Sequence, residues 1–172
     1  MALIYITGAP GAGKSTICEE LSKRGFETHD MDDPDLGGAH NKLSGERVKI
    51  PPAHARTPKW YEDHEWRVYV EALQALKMHS GKQSVFVCGV APDDSAALPI
   101  FDKVIYLTLS DEELIKRIEA RKGNDYGKNQ FELDTILKRK AVLDEKHSSR
   151  DSICLSAQGS VSKVVDDILA MS

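Results

Sequence analysis

Five short apolar runs of strand length alternate along the chain with segments whose apolar residues recur at helical spacing. The runs lie at residues 2–7, 26–30, 84–88, 103–109 and 152–155. Strands that alternate with helices in this way are typical of a parallel sheet covered by helices. The pattern therefore predicts an α/β fold of three layers, in which a five-stranded parallel sheet carries helices on both faces.

The apolar positions between these runs recur at i, i+3, i+4 and i+7, the spacing of a helix that buries one face. Helices are predicted at residues 14–24, 59–80, 130–147 and 160–171. A further helix is predicted to start at a capping box with Ser110 as N-cap and to end before a polar break at 122–128. Residues 36–58 show neither period and contain several glycines and prolines, so we predict an irregular segment there.

A glycine-rich turn joins the first predicted strand to the first predicted helix. Residues 8–15 read G-A-P-G-A-G-K-S and match G-x-x-x-x-G-K-[ST], a phosphate-binding loop when a strand precedes it and a helix follows it. Glycines let backbone N–H groups point at phosphate oxygens, and the helix directs its positive dipole end at the same anion. We expect Lys14 to reach the β- and γ-phosphates and Ser15 to bind Mg²⁺.

The predicted nucleotide contacts of this turn are Gly8, Ala9, Pro10, Gly11, Ala12, Gly13, Lys14, Ser15 and Thr16. The alternative is a glycine-rich turn that only joins a strand to a helix. That alternative does not explain why a lysine and two hydroxyl residues follow the last glycine.

An acidic cluster follows the second predicted strand. Side chains alternate along a strand, so Asp30 and Asp32 are expected on one face, at the edge where open α/β sheets bind ligands. We predict that Asp30 helps to hold Mg²⁺ and that Asp32 orients or deprotonates an attacking hydroxyl. The sequence does not decide which aspartate has which role, and the alternative is an exposed acidic turn.

A long loop inside a compact domain is usually a binding segment or a lid. We therefore assign residues 36–60 as a substrate-binding segment, and Arg56 within it as a contact for an anionic substrate. Gly89 follows the third predicted strand, where a residue without a side chain lets a ligand approach the backbone. For any single basic residue of this segment, the alternative is a solvated loop charge.

A second pair of basic residues lies on the predicted helix that starts at Ser110. Arg117 and Arg121 are four residues apart, beside the apolar face of their helix, and the polar break at 122–128 follows them. Two helices joined by such a hinge suit a closing lid, which we place at residues 117–130. The alternative is a solvated helix face with an Arg117–Glu113 ion pair.

The composition is that of a soluble globular protein, with 172 residues, 29% charged residues and a net charge of −4. We expect one domain over 1–172, a cytoplasmic location, a monomer or homodimer, and neither a nucleic acid polymer nor a membrane as partner. The three cysteines Cys18, Cys88 and Cys154 are odd in number and widely spaced, so they are expected to be small buried apolar residues.

The loop at 8–15 and the acidic pair resemble those of P-loop small-molecule and nucleoside monophosphate kinases, such as shikimate, gluconate and adenylate kinases. Asp30-Met31-Asp32 is similar to the acidic pair that handles Mg²⁺ and the substrate hydroxyl in shikimate and gluconate kinases. The resemblance implies that Arg117 and Arg121 stabilise the transferred phosphoryl group, and that the turn containing Gln158 holds adenine. Cys88-Gly89-Val90 departs from the corresponding signatures of adenylate and shikimate kinases, so the acceptor stays open.

The resemblance implies an ATP-dependent kinase that uses Mg²⁺ and transfers the γ-phosphoryl group to a small-molecule hydroxyl or phosphate. Two alternatives remain open from the sequence. One is a nucleotide-binding regulatory NTPase, although the guanine-reading N-K-x-D motif is not matched. The other is an ATP-binding protein without transfer activity.

Overall fold

The computed structural model describes residues 2–51, 57–79, 81, 83–91, 94–122 and 126–172. The strands are β1 (Leu3–Gly8), β2 (Glu27–Asp30), β3 (Gly37–Asn41), β4 (Arg47–Val48), β5 (His64–Val68), β6 (Val85–Cys88), β7 (Lys103–Thr108) and β8 (Ile153–Ser156). The helices are α1 (Lys14–Lys23), α2 (Pro58–Asp63), α3 (Val70–His79), α4 (Asp111–Ala120), α5 (Gln130–Ser148) and α6 (Val161–Ala170).

The main sheet is parallel and has five strands, which confirms the predicted α/β fold. Its strand order is β2-β6-β1-β7-β8, so β1 lies at the centre. Every residue of β1 and of β6 is buried, as expected where helices cover both faces of a parallel sheet. The central position of β1 places the turn that follows it in the middle of the sheet's carboxyl edge.

Alternation along the strands builds two apolar cores, one on each face of the sheet. Ile4 and Ile6 of β1 pack on one face with residues of α1, α4, α5 and α6. Leu3 and Tyr5 face the other side, where they pack with Leu73 of α3. This division follows from the period of two in a strand and confirms the predicted layers.

A second, antiparallel sheet corrects two predictions. Its strand order is β4-β3-β5, so the segment predicted as irregular contains two strands, and the helix predicted at 59–80 is divided into α2, β5 and α3. Within β5, exposed and half-buried side chains alternate, and Trp66 pairs with Ala39 of β3. Pairing with a distant strand thus overrides the local helical spacing.

Glycines of β3 make this second sheet possible. A Cβ atom on Gly37 would lie 2.8 Å from the Trp66 indole nitrogen, and one on Gly38 would lie 2.8 Å from the Tyr69 hydroxyl oxygen. Such contacts are too short for any larger side chain. The glycines therefore act here as packing residues of a strand, in a segment that the sequence had predicted to be irregular.

The remaining helices and the cysteines complete the fold. The Ser110 Oγ accepts a hydrogen bond from Glu113 N at 3.3 Å, which confirms the predicted N-cap of α4. Cys88 is buried and Cys18 is half-buried, but Cys154 is exposed, so the expectation of burial is wrong for Cys154. Cys154 points outward because β8 is an edge strand whose residues alternate between the core and solvent. Among the described helices, none has the length and apolar character needed to cross a membrane.

Candidate functional site

The turn between β1 and α1 has the backbone geometry of an anion cradle. Gly11 and Gly13 adopt φ angles of 94° and 97°, in the left-handed region that favours glycine. Gly13 is the N-cap of α1 and brings no side chain to the helix end. The first N–H groups of α1 therefore keep their capacity to bind an anion, and the helix dipole favours one there.

A cavity of about 610 Å³ opens around this turn. Its wall brings together the turn, the two predicted aspartates, the end of β6, the predicted lid arginines and the start of α6. The lining residues are Pro10, Gly11, Ala12, Gly13, Lys14, Ser15, Thr16, Ile17, Asp30, Asp32, Cys88, Gly89, Val90, Arg117, Ala120, Arg121, Ala157, Gly159, Val161 and Val164. Most of the predicted site residues thus share one cavity at the carboxyl edge of the sheet, where α/β folds bind ligands.

The Lys14 ammonium is held over the turn by the backbone. Its Nζ donates hydrogen bonds to Gly8 O at 2.8 Å and to Ala9 O at 2.9 Å. Desolvation lowers the pKa of Lys14 to about 8, although the Asp32 carboxylate opposes that shift. Burial disfavours the charged form of Lys14 because it removes hydrating water. A bound polyanion would compensate for that loss and stabilise the ammonium.

The two predicted aspartates lie at the cavity wall, but only one belongs to a strand. β2 ends at Asp30, whose Oδ1 accepts a hydrogen bond from Asp32 N at 2.9 Å, and Asp32 lies in the turn that this bond forms. The prediction that both lie on one strand face is therefore wrong, because the Asp30 side chain turns the chain there. Desolvation and the neighbouring Asp30 carboxylate raise the pKa of Asp32, whereas Lys14 lowers it.

Arg117 joins three parts of the site. Its Nη1 donates to Ala12 O at 3.3 Å and its Nη2 to Ala157 O at 2.7 Å, so it ties the phosphate turn to the loop after β8. Its Nε pairs with Glu113 at 2.9 Å, which is the ion pair predicted as the alternative to a lid, and Arg117 also lines the cavity. Arg121 follows α4 and donates to Tyr126 O at 2.5 Å.

Arg139 is a basic residue near the site that the sequence did not indicate. It lies on α5 and is close enough to Lys14 to lower the pKa of that lysine. Arg139 is partly buried and makes no hydrogen bond or ion pair with any residue that the structure describes. The available signal was its spacing on α5, between the buried Ile136 and Leu143. A basic residue between two core positions points along the sheet-facing side of its helix.

The remaining predicted contacts differ in how they are placed. Gly89 lines the cavity with a φ of 154°, and a Cβ atom there would lie only 2.4 Å from Met31 Cβ, so glycine is required by packing. Gln158 lies in a neighbouring groove with Ser110 and Lys116, and Gly159 is shared by this groove and the cavity. Arg56 lies outside the described residues.

The donor set fits a magnesium ion brought in with phosphates. Mg²⁺ usually takes one or two protein ligands and completes its shell with phosphate oxygens and water. Ser15 and Asp30 are hard oxygen donors on the same cavity wall. Among the described residues, no three acidic, histidine or cysteine side chains are grouped to hold a metal on their own.

The fold and the turn after β1 define the class of protein: an α/β domain with a phosphate-binding loop after its central strand. The chain belongs to the AAA domain family, whose model matches residues 4–138. No curated protein sequence matches the chain significantly.

Solved structures with a similar fold include kinases of small molecules. Shikimate kinase from Acinetobacter baumannii in complex with shikimate has a TM-score of 0.63 and 17% identity, covering 99% of this chain and 92% of that chain. A gluconokinase from Sinorhizobium meliloti has a TM-score of 0.57 and 16% identity, covering 98% and 90%. Deoxyadenosine kinase from M. mycoides with bound dATP has a TM-score of 0.52 and 18% identity, covering 99% and 98%. The predicted resemblance is thus confirmed in the fold.

Proposed function

We propose that this protein is an ATP-dependent kinase that transfers the γ-phosphoryl group of ATP to a hydroxyl or phosphate of a small molecule. The observation that carries the proposal is the cavity that has Lys14 and the amide-rich turn on one wall and Asp32 on the same edge. Phosphoryl transfer depends on positioning and charge stabilisation, and this cavity supplies groups for both. The solved shikimate kinase, gluconokinase and deoxyadenosine kinase structures support the same class of reaction.

The triphosphate would lie along residues 8–16, with backbone N–H groups and Lys14 around the β- and γ-phosphates. Arg117 is already fixed beside this turn through Ala12 O and Ala157 O, so its charge is positioned without further ordering. Arg121 and Arg139 would add positive charge at the same end of the cavity. Pre-positioned cations of this kind stabilise the charge that spreads over the transferred phosphoryl oxygens.

Mg²⁺, held by Ser15 and Asp30, would neutralise charge on the β- and γ-phosphates. Asp32 would orient the acceptor hydroxyl and accept its proton. Its raised pKa brings the carboxyl group closer to the working pH, which is the direction that favours a general base. Residues 36–60, including Arg56, remain the proposed acceptor segment.

The test is a screen for ATP consumption by the purified protein with Mg²⁺ against sugars, sugar acids, nucleosides and nucleoside monophosphates. Once an acceptor is found, Lys14→Ala should abolish turnover, and Asp32→Asn should lower kcat by about 100-fold or more. Asp35→Asn is the matched control, because Asp35 lies in the same acidic segment, is exposed and does not line the cavity. Circular dichroism and thermal unfolding establish that each variant is folded.

Three results would contradict the proposal. Undiminished turnover in a folded Lys14→Ala variant would remove the phosphate turn from the mechanism. Tight ATP binding without transfer to any acceptor would favour a protein that has lost its chemistry. A clear preference for GTP over ATP, with no acceptor, would favour a regulatory NTPase.

A further inference from the structure

A tyrosine hydroxyl lies buried at the centre of the main sheet, beneath one wall of the candidate cavity. Tyr5 belongs to the central strand β1 and is 0% exposed. Its ring stacks on Phe101, with the two ring centroids 4.8 Å apart. A phenylalanine would make the same stack, so packing alone does not explain the hydroxyl. A hydroxyl at this depth costs free energy unless it has a hydrogen-bond partner.

The partner of this hydroxyl is the backbone of the segment that follows β6. Ala91 N donates a hydrogen bond to the Tyr5 hydroxyl oxygen at 3.3 Å, and Ala91 is 2% exposed. Two residues earlier, Gly89 N still donates to Ile6 O of β1 at 3.0 Å. The pairing of β6 with β1 through the backbone thus continues to Gly89, and the Tyr5 side chain then binds the N–H group of Ala91.

The bond holds the part of the cavity wall that lies beside the aspartates. Gly89 and Val90 line the cavity, and Ala91 follows them directly. Gly89 is packed against Met31, since a Cβ atom on Gly89 would lie 2.4 Å from Met31 Cβ. Met31 is buried and directly precedes Asp32, which lines the same cavity. The position of this wall, residues 89–91, is therefore coupled to the position of Asp32.

A buried ion pair holds the same segment further along the chain. Asp94 is buried, and its carboxylate pairs with the Lys146 ammonium of α5. The segment after β6 is thus tied to α5 at Asp94 and to β1 at Ala91. The contact with β1 is the one that directly adjoins the residues of the cavity wall.

The strand order indicates which ligand the wall at 89–91 contacts, and this step rests on the proposed function. β6 and β2 lie on one side of β1, and β7 and β8 lie on the other. The phosphate turn follows β1 in the middle, and the turn with Gln158, which the resemblance assigns to adenine, follows β8. A nucleotide that spans these two turns leaves the side of β2 and β6 to the acceptor, next to Asp32.

We propose that Tyr5 is a positioning residue whose hydroxyl holds the wall at 89–91 in the arrangement that binds the phosphoryl acceptor. Without the hydroxyl, the buried N–H group of Ala91 loses its partner, which favours other arrangements of this segment. The phosphate turn has its own contacts, because Lys14 and Arg117 donate hydrogen bonds to its backbone carbonyl groups. ATP binding therefore does not depend on the Tyr5 hydroxyl.

The first measurement needs neither ATP nor an acceptor. Amide hydrogen exchange of the ligand-free protein is followed by NMR in the wild type and in Tyr5→Phe, which keeps the ring and removes only the hydroxyl. We expect the Ala91 amide of the variant to exchange about tenfold or more faster, relative to buried amides elsewhere in the sheet. An unchanged relative rate at Ala91 would overturn the proposal.

Tyr106→Phe is the matched control for this measurement. Tyr106 lies on the neighbouring strand β7 and is as deeply buried as Tyr5, but its hydroxyl donates to Asp144 Oδ1 of α5 at 2.6 Å. Asp144 keeps Lys140 as a partner when this hydroxyl is removed. The relative exchange rate of Ala91 should therefore be the same in Tyr106→Phe as in the wild type.

The second measurement is steady-state kinetics with the acceptor found in the screen described above. In Tyr5→Phe we expect the KM for the acceptor to rise about tenfold or more, while the KM for ATP stays within about twofold. Tyr106→Phe should change neither constant. A hydroxyl that serves only stability would lower the melting temperature and leave both KM values unchanged. That result, or an equal rise in both KM values, would overturn the role in acceptor binding.

The two measurements separate this inference from the proposed function. If the wild-type protein neither bound ATP nor used any acceptor, the proposed function would fail, and with it the assignment of the wall to an acceptor. The exchange rate of Ala91 would still decide whether the Tyr5 hydroxyl holds the wall in place.

Discussion

The ionisation of Lys14 provides a quantitative test of the candidate nucleotide site. Its pKa is lowered to about 8 by desolvation, so the free protein loses the ammonium charge in a range that is easily measured. A triphosphate favours the charged form and raises this pKa in the complex. ATP binding should therefore weaken as the pH rises through about 8, because the protein must then take up a proton to bind.

The size of the effect follows from the pKa of about 8. If the lysine stays charged in the complex, the apparent Kd should be about twice its low-pH value at pH 8 and about elevenfold higher at pH 9. Phosphate groups have a second pKa of about 6, so ATP itself changes little over this range. Calorimetry at pH 7 to 9.5, in buffers of different ionisation enthalpy, gives both Kd and the number of protons taken up.

Lys14→Arg is the informative control, because a guanidinium remains charged throughout this range. Its Kd, whatever its absolute value, should not change between pH 7 and 9.5. A Cys18→Ser background removes the thiol whose pKa is about 7 and keeps that titration out of the curve. The reasoning is refuted if the wild-type Kd is independent of pH, or if Lys14→Arg shows the same rise.

Three further predictions concern other parts of the structure. Gly89→Ala should reduce the free energy of unfolding by about 2–6 kcal/mol in urea, from backbone strain plus the contact with Met31, whereas Gly81→Ala, in open space, should change it by less than about 0.5 kcal/mol. Burial lowers the pKa of His147, so the unfolded chain binds more protons and stability should fall as the pH drops below about 6.5; His147→Phe should lack this part of the pH dependence. Arg139→Ala should raise the pKa of Lys14 and move the pH midpoint of ATP binding upward, while the adjacent Lys138→Ala should not.

The parts of the fold that local sequence patterns predicted are those whose cause is local. The phosphate turn is contiguous, and the strands β1 and β6 are apolar runs in which every residue is buried. The capping residue Ser110 predicted the start of α4, because its hydrogen bond with Glu113 N joins groups only three residues apart. Such features are visible in a single sequence because all the groups involved lie within one turn or one strand.

The features that the sequence did not reveal depend on pairing between distant segments. β5 carries spacing compatible with a helix, and only its pairing with β3 makes it a strand. Arg139 lies near Lys14 because α5 packs on the same face of the sheet as α1, a relation that no local period encodes. The charge state of Lys14 has both a local and a distant origin. The turn that positions Lys14 is local, whereas Asp32 and Arg139, which affect its pKa together with desolvation, come from separate elements. The pH dependence of ATP binding therefore tests the assembled cavity as a whole, which the phosphate-loop motif alone cannot do.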